Sequence, residues 1–261
     1  MVLKGKTAIV TGSTSGIGAA CAKALAAEGA HIMINGFGDA AEIADQCAEL
    51  AKLSGGKAVH TGADLSDAAQ VMTIVEECTA KLGSPDILMN NAGIQHVCPV
   101  DEFPLEKWRQ MQAIMVDAPF LLIRACVPHM RSSGWGRIVA MASAHATVAS
   151  PNKSAYITAK HAMLGMTRAV AMEVAQAGVT VNCISPGYVW TSLVEKQIPD
   201  TMKTRRLTYD QVVNDVLLAT TPQKKFVMPD QVAATLLFLC SDAASAITGA
   251  NIPIDGGWTA Q

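Results

Sequence analysis

Within one short stretch, Ser143, Tyr156 and Lys160 supply a hydroxyl, a phenol and an ammonium. Tyr156 and Lys160 are four residues apart, so on a helix they share a face. The apolar run Ile138-Val139-Ala140-Met141 reads as a buried strand ending at Ser143. A loop then carries His145, Pro151 and Lys153, and a helix opens near Ser154. Such a cluster suits proton transfer to or from a substrate hydroxyl. A free tyrosine titrates near ~10, and a nearby cation favours its phenolate. A close lysine together with a cationic cofactor ring would lower that value by ~2 to 3, toward working pH, where a phenol serves as general acid and base. Four-residue spacing alone also fits an ordinary tyrosine and a surface lysine, so the elements around the cluster must decide.

Those elements alternate. Residues 7–10 form a short apolar strand, followed by Thr11-Gly12-Ser13-Thr14-Ser15-Gly16-Ile17-Gly18 and an Ala-rich helix stopped at Gly29. Glycines between strand and helix permit a tight turn and let a pyrophosphate approach the helix-start amides. Residues 31–35 are a second strand. The segment 31–51 holds no Arg or Lys to meet a 2′-phosphate, which points to NAD rather than NADP. Asp39 lies beyond the position where a ribose-binding carboxylate is usual. Phe37 either packs near an adenine or makes a helix-start core contact. A helix over 40–53 and a strand over 57–61 follow, closed by Asp64-Leu65. Asp64 either meets the adenine edge or caps the next helix, for which Asp67 is the better cap. After the helix over 67–82, a strand over 86–89 ends in Asn90-Asn91-Ala92-Gly93, where Asn90 either braces the sheet or meets ligand. One long helix is expected after Pro104, then a strand over 136–141, a helix over 155–176 and a strand over 179–184. A helix from Pro229 to near Cys240 and a strand over 251–254 complete the series. This order predicts an α/β fold with a doubly wound parallel sheet, and ligands at the strands' carboxyl ends. Residues 190–225 break the rhythm and read as short helices over the cleft, a lid.

The bulk numbers narrow the class. The chain has 261 residues, 50% hydrophobic and 16% charged, with a formal net charge of −2. That balance gives no electrostatic case for nucleic acid or an anionic membrane. Seven cysteines with no C-x-x-C pair fit reduced thiols in a cytoplasm better than disulfides or a zinc site, and no metal is expected. No apolar run reaches the ~18 residues of a membrane span, and the amino-terminal strand leaves no room for a signal peptide.

With TGxxxGIG, NNAG, the Ser143 strand end, YxxxK and the Pro186-Gly187 turn in order, the chain resembles the short-chain dehydrogenase/reductase family from about residue 5 to 257. The resemblance implies one Rossmann-like domain over 1–261 with about seven strands, a homotetramer and a nicotinamide cofactor. It implies that Ser143 polarises the substrate oxygen, Tyr156 is the acid/base, and Lys160 holds the ribose and lowers the Tyr156 pKa. Cofactor contacts are expected at Gly12, Thr14, Ser15, Gly16, Ile17, Gly18, Phe37, Asp64, Leu65, Asn91, Ala92, Gly93, Tyr156, Lys160, Pro186, Gly187, Val189 and Thr191.

NGFGDAAEI, NNAGIQH, SAHxxVAxxNKSAY, LVEKQI and ITGxxxxxDGGWT are more closely similar to the branch of that family that interconverts (R)-3-hydroxybutyrate and acetoacetate. That likeness places Gln95, His145, Lys153 and Gln197 around a carboxylate, with Tyr188 and Trp258 as apolar walls. Lys153 would neutralise the acid while the others donate hydrogen bonds. Singly, each residue also has an ordinary reading: Lys153 as a solvated charge, Gln197 as helix surface, Trp258 as an interface residue. Two positions depart from the pattern. Tyr188 stands where that branch carries Trp. Met115 stands where the family has an asparagine that completes a proton relay. Pro119 lies four residues after Met115, and its missing N–H would free the Met115 carbonyl to hold the relay water in place of a side-chain amide. Two further readings stay open: a relative acting on another alcohol or hydroxy acid, and a catalytically weak dinucleotide-binding protein.

Overall fold

A strand that is apolar at every position needs cover on both faces, and it is buried when other strands flank it. The first strand, β1 (Thr7–Val10), is buried throughout. In the computed structural model, which describes residues 1–260 apart from the side chain of Leu193, β1 pairs in parallel with β2 (His31–Asn35) and β4 (Ile87–Asn90). β3 (Ala58–Thr61) lies outside β2, while β5 (Gly136–Met141), β6 (Val179–Pro186) and β7 (Asn251–Ile254) extend beyond β4. The seven-stranded order is β3-β2-β1-β4-β5-β6-β7. It reverses direction at β1, between β2 and β4, where an open parallel sheet forms a ligand crevice at its carboxyl edge. This is the Rossmann-like sheet expected from the sequence.

The helices are α1 (Gly16–Ala27), α2 (Ala40–Ser54), α3 (Ala68–Leu82), α4 (Leu105–Gln112), α5 (Ala118–Ser133), α6 (Ser154–Val174), α7 (Ser192–Arg205), the short α8 (Tyr209–Gln211) and α9 (Pro229–Cys240). Alternate residues of each strand face opposite layers. Ala8 and Val10 pack with Leu25, Leu50 and Leu236 of α1, α2 and α9. Ile9 packs with Ile74, Leu122 and Val174 of α3, α5 and α6. Asp39 and Asp67 cap α2 and α3, each accepting two backbone amides. Asp39 is thereby committed to its helix. Asp64 accepts from Ser66 instead and caps no helix.

The long helix differs from its sequence expectation. It is broken between α4 and α5 by a π-turn, Ala113–Asp117, where the Ala118 amide bonds the Ala113 carbonyl five residues back. Regular α bonding resumes with the Asp117 carbonyl, since the residue before a helix supplies its first acceptor. The carbonyls of Ile114, Met115 and Val116 are left with the amides of residues 119 and 120, and Pro119 has no N–H. One helical amide therefore serves three carbonyls, so the four-residue count from Pro119 to Met115 was too simple. The helix Leu105–Ser133 is long, and its most apolar 18-residue stretch reaches a mean hydropathy of 1.4, a level that a core helix also attains. Its apolar residues Ala118, Leu122, Ile123, Cys126 and Met130 pack against the sheet layer, and it carries Arg124, His129 and Arg131.

The close fit of α1 against the sheet edge sets a limit on side-chain size. A Cβ on Gly18 would stand 2.3 Å from the Gly12 carbonyl and 2.5 Å from the Asn91 amide nitrogen. Gly18→Ala is expected to lower the melting temperature by about 5 °C or more, as overpacking against backbone does. Differential scanning calorimetry on the ligand-free chain checks this.

Candidate active site

The site begins where β1 and β4 end together. The Thr11 hydroxyl accepts the amides of Asn91 (3.0 Å) and Ala92 (3.1 Å). The Asn91 side chain returns two bonds of 2.9 Å, to the Thr11 and Gly12 carbonyls. The Asn91 amide is thus the brace, whereas the buried Asn90 side chain makes no hydrogen bond. Gly12, at φ +59°, packs so closely that a Cβ would lie 2.8 Å from the Ala92 Cα. The turn delivers the chain into α1 with Ser15 at the helix start, where no side chain caps the first amides. Uncapped N–H groups at a helix start favour an anion.

Two adjoining cavities, each of about 470 Å³, share Ile17, Asn91, Gly93 and Ile94 as walls. The first is lined by Gly12, Thr14, Ser15, Gly16, Ile17, Gly18, Phe37, Asp64, Leu65, Asn91, Ala92, Gly93 and Thr191. The second is lined by Gln95, Ser143, Tyr156, Lys160, Pro186, Gly187 and Val189. The structure therefore brings every residue of the expected cofactor set to one continuous groove. A dinucleotide suits it: glycines allow close approach, the uncapped α1 amides would meet a phosphate, and no Lys or Arg lines the first cavity. Asn35, whose amide bonds the Thr61 and Ala63 carbonyls, also lines the groove. It was missed by the sequence reading, as was Thr11. A polar residue at the end of an otherwise apolar strand was the available signal.

At the substrate end, Ser143 opens a short 3₁₀ turn, its hydroxyl accepting the His145 amide at 3.2 Å. The Lys160 ammonium donates to the Met141 carbonyl at 2.6 Å, meets the Met163 sulfur at 3.7 Å, and lies 5.5 Å from the Tyr156 ring centre. Tyr156 is not lowered as expected. Burial pushes its pKa above the ordinary value, and a hydrogen bond with Ser143 offsets this only in part. The lysine, turned to a strand carbonyl, does not supply the lowering in the ligand-free chain. Burial also brings the Lys160 pKa down from 10.5 to about 8. His145 is held neutral, its pKa lowered to about 4 first by burial and then by the charge of Lys153. Its Nε2 lies 2.9 Å from the Ser150 hydroxyl, a partner the sequence did not suggest.

Of the expected substrate set only Gln95 lines the second cavity; aromatic rings stand beside it, next to Tyr156. Trp258 stacks on Tyr188 (5.9 Å, 7°) and meets His145 edge-on at 5.0 Å, and His145 lies 6.0 Å from Tyr156. Lys153 stands at the start of α6, half-buried, without a capping bond and absent from the ion pairs among the described residues. Burial lowers its pKa too. Gln197 is not brought in. It is exposed on α7, beside the buried Ile198. Met115 is fully buried, and its sulfur and the Lys160 nitrogen lie 3.4 and 3.7 Å from where a Gly93 Cβ would stand. The buried thiols Cys21, Cys78 and Cys240 are pushed up to about 12 by burial, which makes them inert. Among the described residues no group of three or more His, Cys, Asp or Glu side chains is placed to hold a metal ion.

The buried lysine has a cost in stability with a definite pH dependence. Below pH ~8 both folded and unfolded chains bind its proton, and the full desolvation penalty applies, at most about 3 kcal/mol. Between ~8 and 10.5 the unfolded chain binds more protons, so the penalty is relieved as pH rises. Lys160→Met is therefore expected to melt higher than the parent at pH 7, with the difference narrowing toward pH 10. A difference that widens with pH in thermal melts would contradict this account.

Comparison with known proteins agrees with the geometry. A family model described as Enoyl-(Acyl carrier protein) reductase matches residues 12–259. The chain is 50% identical to the D-beta-hydroxybutyrate dehydrogenase of Rhizobium meliloti, over 98% of this chain and 99% of that one. It is 46% identical, over the full length of both, to the D-beta-hydroxybutyrate dehydrogenase of Cupriavidus necator. It is 39% identical to the D-threitol dehydrogenase of Mycolicibacterium smegmatis, over 98% of this chain and 94% of that one. With its parallel sheet, its glycine turn braced by Asn91, and Ser143, Tyr156 and Lys160 on one groove, the chain belongs to the short-chain dehydrogenase/reductase family.

Proposed function

We propose that the chain is an NAD-dependent oxidoreductase that interconverts (R)-3-hydroxybutyrate and acetoacetate. The observation that carries the substrate is Lys153. A half-buried cation at a helix start works against both desolvation and the helix dipole, and no described carboxylate pairs with it. A bound carboxylate would relieve both. Gln95 on the cavity wall and the neutral His145 beside Tyr156 would add hydrogen-bonding groups, and the Tyr188–Trp258 stack would bound a short apolar chain. The names of the relatives at 50% and 46% identity support the same reading.

Gly12, Ser15, Gly16 and Asn91 would hold the dinucleotide, which when bound accepts hydride from C3 and, oxidised, carries positive charge. NAD is preferred to NADP because no cation lines the first cavity to meet a 2′-phosphate. Tyr156 takes the hydroxyl proton, and Ser143 stabilises charge developing on the oxygen. Burial holds Tyr156 protonated until positive charge is brought beside it, so proton removal is coupled to filling the site. The relay beyond Lys160 runs through water on the carbonyls freed at the π-turn, with Met115 contributing backbone only. The proposal extends to a cytoplasmic homotetramer, supported by Phe120 and Met172, which α5 and α6 leave 49% and 79% exposed.

The test is NAD reduction with (R)- against (S)-3-hydroxybutyrate and with the methyl ester of the acid. Activity confined to the (R)-acid is expected, with Lys153→Ala raising KM by about 100-fold, as loss of a buried charge partner does. Equal turnover of the ester would favour an uncharged alcohol, and tight NADH binding without turnover would favour a non-catalytic role. For the relay, Met115→Asn is expected to change kcat by less than about threefold, since the carbonyls already serve. A gain of several orders of magnitude in steady-state rate would overturn the backbone role.

A further inference from the structure

The lid rests on a narrow base. Trp190 donates to the Val227 carbonyl at 2.8 Å, and Val227 to the Tyr188 carbonyl at 2.9 Å. Between these two points the lid holds its own apolar centre of Ile198, Val212 and Leu217, with Trp190 against Phe226 at 4.9 Å. Its second half ends poorly as a helix. α8 runs into a π-turn, Val212–Leu217, and the Leu218 amide reaches the Val213 carbonyl five residues back. The chain then leaves helical geometry, so carbonyls at this end need donors from elsewhere.

Lys224 supplies them. Its ammonium donates to the carbonyls of Leu218 (2.8 Å), Asn214 (3.1 Å) and Ala219 (3.1 Å), so its three protons meet three acceptors. Its backbone is held at φ +49°, a left-handed conformation that a side-chain-bearing residue keeps only when its surroundings demand it. The same turn grips the carboxyl-terminal wall of the site. The Gln223 amide donates to the Gly256 carbonyl at 3.2 Å, and a Cβ on Gly256 would lie 2.8 Å from the Thr221 methyl carbon and 3.3 Å from the Gln223 Cβ. Two residues further on is Trp258, which stacks on Tyr188 and meets His145 edge-on.

We propose that Lys224 is a positioning residue for the substrate end of the site, joining the end of the lid to the turn that places Trp258. It touches neither substrate nor cofactor. It holds the 212–217 turn against α7, and it keeps the lid and the Trp258–His145 wall in one register. This rests on the hydroxy-acid reading for its kinetic arm only.

Lys224→Met keeps the aliphatic stem and removes the donors. Lys224→Arg keeps a charged donor. Amide hydrogen exchange in the ligand-free protein should be faster over 209–219 in Lys224→Met and near parental in Lys224→Arg, with α9 unchanged in both. In steady state, Lys224→Met should raise KM for (R)-3-hydroxybutyrate about tenfold, while the NADH dissociation constant stays within about twofold of the parent. Lys224→Arg should recover most of that loss. Unchanged exchange over 209–219 would overturn the anchor. Faster exchange with an unchanged KM, or equal weakening of NADH and substrate, would overturn the positioning role. If the parent turns over no 3-hydroxybutyrate, the substrate reading fails while the exchange result still decides the anchor.

Discussion

The amide of Asn91 ties together the two halves on which the site is built. It donates to the two carbonyls that follow β1, while the Thr11 hydroxyl takes the amides that follow β4. Strands of a parallel sheet normally diverge past their last paired residues, leaving backbone groups in need of partners. Here those groups satisfy one another across the point where strand order reverses. The glycine turn and the Gly93 loop are thereby held at fixed separation, with a cavity on either side and Asn91 in the wall of each. Gly12 and Gly18 are small because this closure leaves them no room.

The second organising constraint is desolvation. Tyr156, Lys160, His145 and Lys153 are all moved by burial toward their neutral forms. No acidic side chain is placed to reverse this for either lysine among the described ion pairs. The groove is therefore electrostatically incomplete, with two underpartnered ammonium groups and a neutral phenol. Two bound anionic groups, a phosphate-bearing cofactor at one end and a carboxylate at the other, would complete it. The site stores free energy that binding can release, and that is why stability and activity pull in opposite directions at Lys160.

Much of this was legible in the sequence because it depends on local rules. Strand bounds at His31–Asn35 and Asn251–Ile254, the Asp67 cap and the helix from Pro229 to Cys240 follow from runs, caps and prolines. The direction of the Tyr156 shift was not legible. It depends first on how deeply the fold buries the phenol, while the Lys160 ammonium that would offset burial is captured by the Met141 carbonyl on a different element. Gln197 illustrates the same limit. A helix period puts Ile198 inside and its neighbour outside, but only the packing of α7 on the 212–217 turn shows which way the glutamine faces. Lys224, unmarked by any motif, acquires its role from three carbonyls five to ten residues away, gathered where the π-turn ends.

The same backbone logic accounts for Met115. A side-chain amide at that position can be replaced only if its hydrogen-bonding capacity comes from elsewhere, and methionine offers almost none. The π-turn supplies it from the main chain. Going from five-residue to four-residue bonding across Pro119 leaves the carbonyls of Ile114, Met115 and Val116 with one helical amide among them. Carbonyls belong to every residue type, so once the turn and the proline fix their direction the identity of side chain 115 matters less. The buried thioether can then fill space between Gly93 and Lys160, a task suited to its flexible, polarisable chain. If the proposed relay runs through these carbonyls, Pro119 rather than residue 115 is the position that preserves it.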